Sequence, residues 1–208
     1  MPSAIHDGLP PHAPGQRIGL LGGSFNPPHG GHRHISCEAL KRLRLHAVWW
    51  IVTPGNPLKQ NDDLPRVEDR AIAAAACACH PRIAITLFER KIGARFTADT
   101  LAEVQRRTRG TRFTWLMGGD NLAMFHRWDR WRTIANTMPI AVLDRPQTRL
   151  AGVASPAAHA LAQARVPTRD AALILTARPP AWTILDIPLS PLSSTALRKP
   201  EHPGDMTS

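Results

Sequence analysis

Long apolar runs are absent from this sequence, which nowhere approaches the ~20 consecutive apolar residues that a membrane-spanning helix needs. Its first residues, MPSAIHDGLPPHAPGQ, contain neither a basic segment nor an apolar segment, so we expect no secretory signal peptide. The two absences together predict a protein with no membrane partner and a cytoplasmic location.

Cysteine is scarce. The 208 residues include three, Cys37, Cys77 and Cys79, and no CxxC pair. A disulfide framework or a cysteine-based zinc site would need more cysteines at recurrent spacings. All three cysteines lie in segments with helical patterning, which favours buried thiols in a reducing compartment.

Lysine is scarce as well, because only four of the 26 basic residues are lysine, and no block of five or six like charges occurs. The formal net charge of +10 permits nucleic-acid binding. A nucleic-acid surface would show more clustered charge, and the aromatic and basic interleaving of RNA modules is missing. We therefore expect no nucleic-acid partner, and the positive charge suits small polyphosphate substrates.

The sequence does contain a regular alternation of strand-like and helix-like segments. Short apolar runs end in glycine or proline, and helical patterns separate them over roughly 130 residues. This alternation predicts an α/β protein with a Rossmann-like parallel sheet and helices on both faces. The predicted strands are RIGLLGG, HAVWWIVTPG, RIAITLFE, TRFTWLMGG, MPIAVLD and AWTILDI, and the predicted helices are GHRHISCEALKRLRL, PRVEDRAIAAAACACH, TADTLAEVQRRTRG, DNLAMFHRWDRWRTIAN and LSSTALRK.

The length and the 43% hydrophobic content suit one domain with a buried core, which we place at residues 17–200. Residues 1–16, which are rich in proline, are predicted to form a disordered tail, and residues 201–208 a second tail. No element is assigned between about Arg145 and Pro180, because that stretch is rich in alanine and proline and weakly patterned.

The stretch GLLGGSFNPPHGGHRH connects the first predicted strand to the first predicted helix. Its glycines and prolines exclude regular structure. Ligands of parallel sheets bind beyond the carboxyl ends of the strands, so this loop is placed to wrap a ligand. It matches neither the Walker pattern nor the dinucleotide fingerprint.

Two histidines stand where that loop becomes a helix. His29 and His32 can donate hydrogen bonds to phosphate oxygens, and can do so as cations when a polyphosphate raises their pKa. One alternative is a metal site, for which no carboxylate or cysteine lies nearby in the sequence. The other alternative is a pair of ordinary polar surface residues.

A second candidate anion site lies near the far end of the chain, in SSTALRK. Ser194 and Thr195 place hydroxyls at the start of a predicted helix, and Arg198 follows one turn later. Hydroxyls, helix N–H groups and an arginine together suit an anion, although an ordinary capped helix is the alternative. Two such helix starts at opposite ends of one chain suit a clamp on an extended polyphosphate.

The two segments GGSFNPPHGGH and SSTALR resemble the nucleotidyltransferase superfamily that is marked by HxGH and SSTxxR motifs. Two further segments, ARFTADTL and LMGGDNLAMFHRWDRW, are similar to the bacterial nicotinate-nucleotide adenylyltransferases. The resemblance extends from Arg17 to Lys199. It implies a nucleotidyltransferase fold and adenylyl transfer from ATP to nicotinate mononucleotide, giving deamido-NAD and pyrophosphate in NAD biosynthesis.

The resemblance also implies a role for each matching residue. His29 and His32 would be the catalytic pair on the ATP phosphates, Asp120 would bind the adenosine ribose, and Trp128 would stack on the pyridine ring. The implied ATP-binding residues are Gly22, Gly23, Ser24, His29, His32, Asp120, Ser194, Thr195 and Arg198, and the implied mononucleotide-binding residues are Asn56, Lys59, Thr97, Trp128 and Arg145. Mg²⁺ is expected on the ATP phosphates, with no metal site of the protein itself.

Some positions leave alternatives open. The loop PGNPLK lacks the histidine of the family's PPHK-like loop, so Lys59 could be an ordinary exposed lysine. Phe96 stands where the family commonly has tyrosine. Trp128 alone would suit core packing, Asp120 could cap a helix, and Thr97 could cap the helix that it opens.

The main functional alternative is a related adenylyl- or cytidylyltransferase, such as one acting on phosphopantetheine. The segments ARFTADTL and FHRW argue against it. The sequence leaves open whether the chain forms a homo-oligomer.

Overall fold

The computed structural model of the chain describes residues 1–55, 64–144 and 152–187. Its seven strands are β1 (Ile5–His6), β2 (Arg17–Gly23), β3 (Ala47–Val52), β4 (Ile83–Thr86), β5 (Arg112–Gly118), β6 (Ile140–Asp144) and β7 (Trp182–Asp186). They form one sheet in the order β1-β4-β3-β2-β5-β6-β7, and every neighbouring pair is parallel. The predicted parallel α/β fold is confirmed.

Helices connect the strands, as a parallel sheet requires. The α-helices are α1 (Gly30–Arg42), α2 (Val67–Ala78), α3 (Phe88–Ile92), α4 (Thr97–Arg107), α5 (Gly119–Met124), α6 (Trp131–Thr137) and α7 (Pro156–Ala160). Short 3₁₀ segments occupy Phe125–Arg127, Ala162–Ala164 and Thr168–Thr176. Within the described ranges, no helix combines the length and the apolar character that crossing a membrane would require.

Apolar side chains cover both faces of the sheet. In β3, Trp50 packs on the face that carries α1 and α2, whereas its neighbour Trp49 packs on the face that carries α4 and α6. Successive side chains of a strand point to opposite faces, so a strand buried on both sides reads as a continuous apolar run. That is why AVWWIV is apolar throughout.

The chain reverses its direction of travel across the sheet at β2, which pairs with β3 on one side and β5 on the other. From β2 the chain proceeds to β3 and β4, then returns to β5 and continues outward to β6 and β7. Such a reversal opens a crevice beyond the carboxyl ends of the two central strands. The loops that follow β2 and β5 therefore border one crevice.

One glycine of β2 is required by close packing between these central strands. A Cβ atom on Gly22 would lie 2.5 Å from the Cη2 atom of Trp115 in β5. The indole of Trp115 is 2% exposed and therefore has no room to retreat. Glycine at position 22 lets the strand run past the ring, so close packing between the two central strands requires this residue.

The N-terminal segment differs from the disordered tail that the sequence predicts for residues 1–16. Ile5–His6 form the edge strand β1, and the Ile85 and Leu87 N–H groups donate to the Ala4 and His6 carbonyls at 2.9 Å each. A two-residue strand gives no periodic signal in a sequence. The prediction of a disordered tail therefore depended on the proline content alone.

Two predicted elements change character in the structure. The strand RIAITLFE ends at Thr86, whose hydroxyl accepts the Phe88 N–H at 3.1 Å, and α3 begins there instead. The helix predicted over DNLAMFHRWDRWRTIAN is interrupted, because Arg130 adopts the left-handed conformation with φ of 48° before α6 begins.

The cysteines are less buried than their helical surroundings predict. Cys37 and Cys77 are half-buried, and Cys79 is exposed. Cys79 lies just beyond α2 in the left-handed conformation, where the helix no longer packs on the sheet.

Candidate functional site

Two histidines begin α1 and cap it reciprocally. The Nδ1 atom of His29 accepts the Gly31 N–H at 3.1 Å, and the Nδ1 atom of His32 accepts the His29 N–H at 3.2 Å. These bonds satisfy N–H groups that a helix start otherwise leaves unpaired. The two rings lie 3.9 Å apart between centroids. Both side chains predicted to touch phosphate are therefore held at one helix N-terminus beside the crevice.

The capping bonds determine which ring nitrogen carries a proton. An Nδ1 atom that accepts a backbone N–H cannot be protonated, so the neutral ring carries its hydrogen on Nε2. The capping bond through Nδ1 thus fixes the orientation of each ring.

Two aromatic rings, those of Phe25 and Trp50, pack against the ring of His32. The buried ring of Phe25 stacks on Trp50 with centroids 4.9 Å apart, and the His32 ring lies 4.9 Å from Phe25 and 5.8 Å from Trp50. Phe25 adopts φ of 47°, a conformation uncommon for a non-glycine residue. The packing of Phe25 holds the loop so that its histidines stay in place.

The other loop residues predicted at the ATP site lie where β2 ends. Gly22 and Gly23 are still in the strand, and the Gly23 carbonyl accepts the Thr53 N–H at 3.0 Å. Ser24 follows, and its carbonyl accepts from a buried arginine. The structure therefore brings these residues to the same edge as the two histidines.

Asp120 lies at the end of β5, on the other side of the crevice. Gly118 is the N-cap residue of α5, so the alternative of Asp120 as a helix cap is wrong. The carboxylate is exposed and folds over Gly118, where a Cβ atom would lie 2.5 Å from its Oδ1. An exposed carboxylate at this edge is free to accept hydrogen bonds from ribose hydroxyls.

The start of α4 is polar and open. Phe96 is the N-cap residue and makes no side-chain cap, so the prediction that Thr97 caps this helix is wrong: Thr97 is its first residue. The Asp99 and Thr100 N–H groups donate to the Phe96 carbonyl. In the described part of the chain, the Thr97 and Ala98 N–H groups have no acceptor.

An ion pair connects the start of α4 to the turn that carries Trp128. Both terminal nitrogens of Arg130 donate to the Asp99 carboxylate at 2.8 Å, and this guanidinium holds the pKa of Asp99 below its usual value. Trp128 is half-buried, and its ring meets Phe125 and Trp115 edge-on at 5.5 and 6.4 Å. Its packing on the core is therefore real, and its partial exposure leaves ring surface for a ligand.

Six predicted site residues lie outside the described residues, so the structure does not test their positions. They are Asn56, Lys59, Arg145, Ser194, Thr195 and Arg198.

Sequence reasoning missed Arg70, which lies beneath these loops. Its guanidinium is buried and donates to backbone carbonyls of the loop after β2, of the segment after β3 and of the segment before α2. The sequence feature that could have revealed Arg70 is its place in α2, where Arg70, Ala74 and Ala78 lie on one buried face at a spacing of four residues. A charged residue on an apolar stripe needs partners.

A second missed residue is Glu89 in α3. Its side chain accepts the Thr100 hydroxyl of α4 at 2.9 Å. Burial raises the pKa of Glu89 to about 7, and the Thr100 hydrogen bond offsets only part of that effect. This carboxyl group anchors the helix whose N-terminus borders the predicted acceptor site.

We expect Glu89→Gln to remove a pH dependence of stability. A carboxyl group whose pKa is raised by folding stabilises the protein fully below about pH 4.5, and that stability is lost as the pH rises to about 7. Across this window the wild type should lose about 3 kcal/mol of unfolding free energy relative to the variant. Urea unfolding of both proteins from pH 4.5 to 8 measures the difference.

The matched control is Glu103→Gln in α4. Arginine hydrogen bonds lower the pKa of the half-buried Glu103 carboxylate to about 2, so this group does not titrate in the window. Parallel stability curves for the wild type and Glu89→Gln would contradict the assignment of a buried, neutral carboxyl group.

The parallel sheet and the histidine-bearing helix start at its central reversal define a nucleotidyltransferase. The family profile described as cytidylyltransferase-like matches residues 20–200. Proteins named "probable nicotinate-nucleotide adenylyltransferase" are 55% identical in Cereibacter sphaeroides, over 87% of this chain and 96% of theirs, and 54% identical in a Bradyrhizobium species, over 89% and 96%. The chain belongs to the nicotinate-nucleotide adenylyltransferase family.

Solved structures agree with the fold. The Plasmodium falciparum nicotinic acid mononucleotide adenylyltransferase complexed with NaAD superposes with a TM-score of 0.63, covering 88% of this chain and 82% of that one at 16% identity. The same enzyme complexed with APC gives a TM-score of 0.62 at 14% identity. At such identities the likeness concerns the arrangement of strands and helices.

Proposed function

We propose that this chain transfers the adenylyl group of ATP to nicotinate mononucleotide, giving deamido-NAD and pyrophosphate in NAD biosynthesis. The observation that best supports the proposal is the reciprocal capping of His29 and His32, which holds both imidazoles at the helix N-terminus that follows the central strand β2. Membership of the nicotinate-nucleotide adenylyltransferase family specifies the nucleotides.

The reaction is a direct displacement at phosphorus. An oxygen of the mononucleotide phosphate forms a bond to the α-phosphorus of ATP, and the bond from that phosphorus to the bridging oxygen breaks, so pyrophosphate leaves with the electron pair. His29 and His32 donate to phosphate oxygens and stabilise the charge that develops on them. The protein contributes positioning and charge stabilisation, with no covalent intermediate.

ATP is bound along the same edge. Asp120 accepts from the ribose hydroxyls, and the backbone of Gly22, Gly23 and Ser24 lies beside the nucleotide. Ser194, Thr195 and Arg198 bind the outer phosphates in this proposal, on the strength of the SSTALR motif alone. Mg²⁺ enters with its substrate as MgATP, and no group of three metal-binding side chains occurs in the described part of the chain.

The acceptor occupies the space between α4 and the Trp128 turn. The pyridine ring stacks on Trp128, and its carboxylate meets the open N–H groups at Thr97, a favourable place for an anion. Asn56, Lys59 and Arg145 are assigned to this nucleotide from the family motifs. The proposal includes a cytoplasmic location and a single catalytic domain over residues 17–200.

The deciding experiment measures pyrophosphate release with ATP or CTP and a panel of acceptors. The acceptors are nicotinate mononucleotide, nicotinamide mononucleotide and phosphopantetheine. We expect the fastest release with ATP and nicotinate mononucleotide, together with deamido-NAD as product. Preference for phosphopantetheine or for CTP would overturn the proposal in favour of a related nucleotidyltransferase.

A further inference from the structure

The guanidinium of Arg70 connects segments that are distant in the sequence. One terminal nitrogen, Nη1, donates to the Ser24 carbonyl at 2.6 Å and to the Thr53 carbonyl at 2.8 Å. The other, Nη2, donates to the Pro54 carbonyl at 3.1 Å, and Nε donates to the Pro65 carbonyl at 2.9 Å. The residue is 3% exposed. One side chain therefore binds four backbone carbonyls.

The four carbonyls belong to the parts of the chain that the proposed reaction uses. Ser24 lies in the loop that leads from β2 to the two histidines at the start of α1. Thr53 and Pro54 follow β3, and Pro65 precedes α2, so Arg70 binds backbone on both sides of residues 56–63, which include two residues assigned to the acceptor. The planar guanidinium fork suits this task, because its five N–H donors point in fixed directions.

The charge of Arg70 is unusual for a buried side chain. Among the described residues, no carboxylate lies within ion-pair distance of it, and burial lowers its pKa. Carbonyl dipoles thus solvate the cation in place of water. Removing the guanidinium would leave four carbonyls without their donor, and each segment would lose its common anchor.

We infer that Arg70 is a positioning residue. It fixes the position of the loop that leads to His29 and His32 relative to the segment after β3. The inference rests on the proposed adenylyl transfer, because that proposal assigns ATP to the segment with the histidines and nicotinate mononucleotide to the segment after β3. Arg70 touches neither substrate and acts through the backbone. Its loss therefore affects both substrates and the chemical step together.

The test uses Arg70→Lys in the full chain, because a lysine keeps the charge but offers three donors from one point. We expect kcat/KM to fall about tenfold for both MgATP and nicotinate mononucleotide, the scale expected when reacting groups are slightly misplaced. In a His32→Asn background the same substitution should lower kcat by less, because the histidine that it misplaces is already gone.

Two controls separate positioning from stability. Ile83→Ala removes a buried side chain from the first residue of β4, at the end of the strand opposite the loops, and should lower Tm while leaving kcat/KM unchanged at temperatures well below Tm. Arg82→Lys replaces an arginine that donates to one carbonyl, Leu45, at the opposite edge of the sheet, and should change neither quantity appreciably.

The possible results are distinguishable. A wild type that releases no pyrophosphate with any acceptor would remove the proposed function. An active wild type with an equally active Arg70→Lys variant would overturn the positioning role, and so would losses that are merely additive with those of His32→Asn. Failure of Arg70→Lys to fold under conditions in which Ile83→Ala folds would also overturn the inference, because Arg70 would then serve the stability of the fold rather than the positions of the two segments.

Discussion

His32→Asn is expected to lower kcat by about 100-fold or more, with a smaller effect on the KM for ATP. Asparagine can place its side-chain oxygen where Nδ1 of His32 lies, so it can still accept the His29 N–H and preserve the helix cap. What it lacks is the Nε2–H donor. A loss confined to turnover therefore reports charge stabilisation on the reacting phosphate. His32→Ala, which removes both functions, should lose at least as much.

The structure provides a matched control for this experiment in His46. The Nδ1 atom of His46 accepts the Arg17 N–H at 2.9 Å, at the opposite edge of the sheet from the crevice. His46→Asn makes the same chemical change in a similar backbone setting and should leave kcat unaltered. Near-wild-type turnover in a folded His32→Asn variant would remove His32 from the catalytic role.

The second large effect concerns the acceptor: kcat/KM for nicotinate mononucleotide should exceed that for the nicotinamide form by about 100-fold or more. The two acceptors differ only in carboxylate against amide. The Thr97 and Ala98 N–H groups at the start of α4 offer donors and the positive end of a helix dipole. A carboxylate accepts from both groups, whereas the amide NH₂ would face donors and leave polar groups unpaired.

Thr97→Pro tests the origin of this preference, because proline at the first helical position removes one N–H donor without disturbing the helix. The extended conformation of Phe96, with φ of −123° and ψ of 143°, is compatible with a following proline. The preference for nicotinate should fall in Thr97→Pro and persist in Thr97→Ala, which keeps the N–H group. Equal kcat/KM values for both acceptors in the wild type would refute this account of specificity.

Most strands of the sheet could be predicted because each is a mainly apolar run with a clear stop. Gly22 and Gly23 end one such run, and Pro54 and Gly55 end another. Among the misjudged elements, β1 is too short to give a periodic signal, and in others a local pattern continues past a tertiary break. The helical spacing after Asp120 runs through Arg130, whose left-handed backbone no periodicity announces.

The site likewise contains residues that could be predicted from the sequence and residues that could not. His29 and His32 stand in a loop whose glycines and prolines are visible in the sequence, so their position could be inferred from the order of elements. Arg70 and Glu89 depend on carbonyls and a hydroxyl that come from other segments, and only folding brings those partners together. Local sequence carries no record of such partners beyond a charged residue on a buried helix stripe.

The close passage of Gly22 and Trp115 constrains how this chain can change over evolutionary time. Any side chain at position 22 collides with the indole, so a mutation there is eliminated while tryptophan occupies position 115. A smaller ring at position 115 would first have to open the space. We therefore expect position 115 to change first, to a smaller residue, and position 22 to change only afterwards among descendants of this sequence. A library that randomises both positions should return alanine at position 22 only together with a residue smaller than tryptophan at position 115.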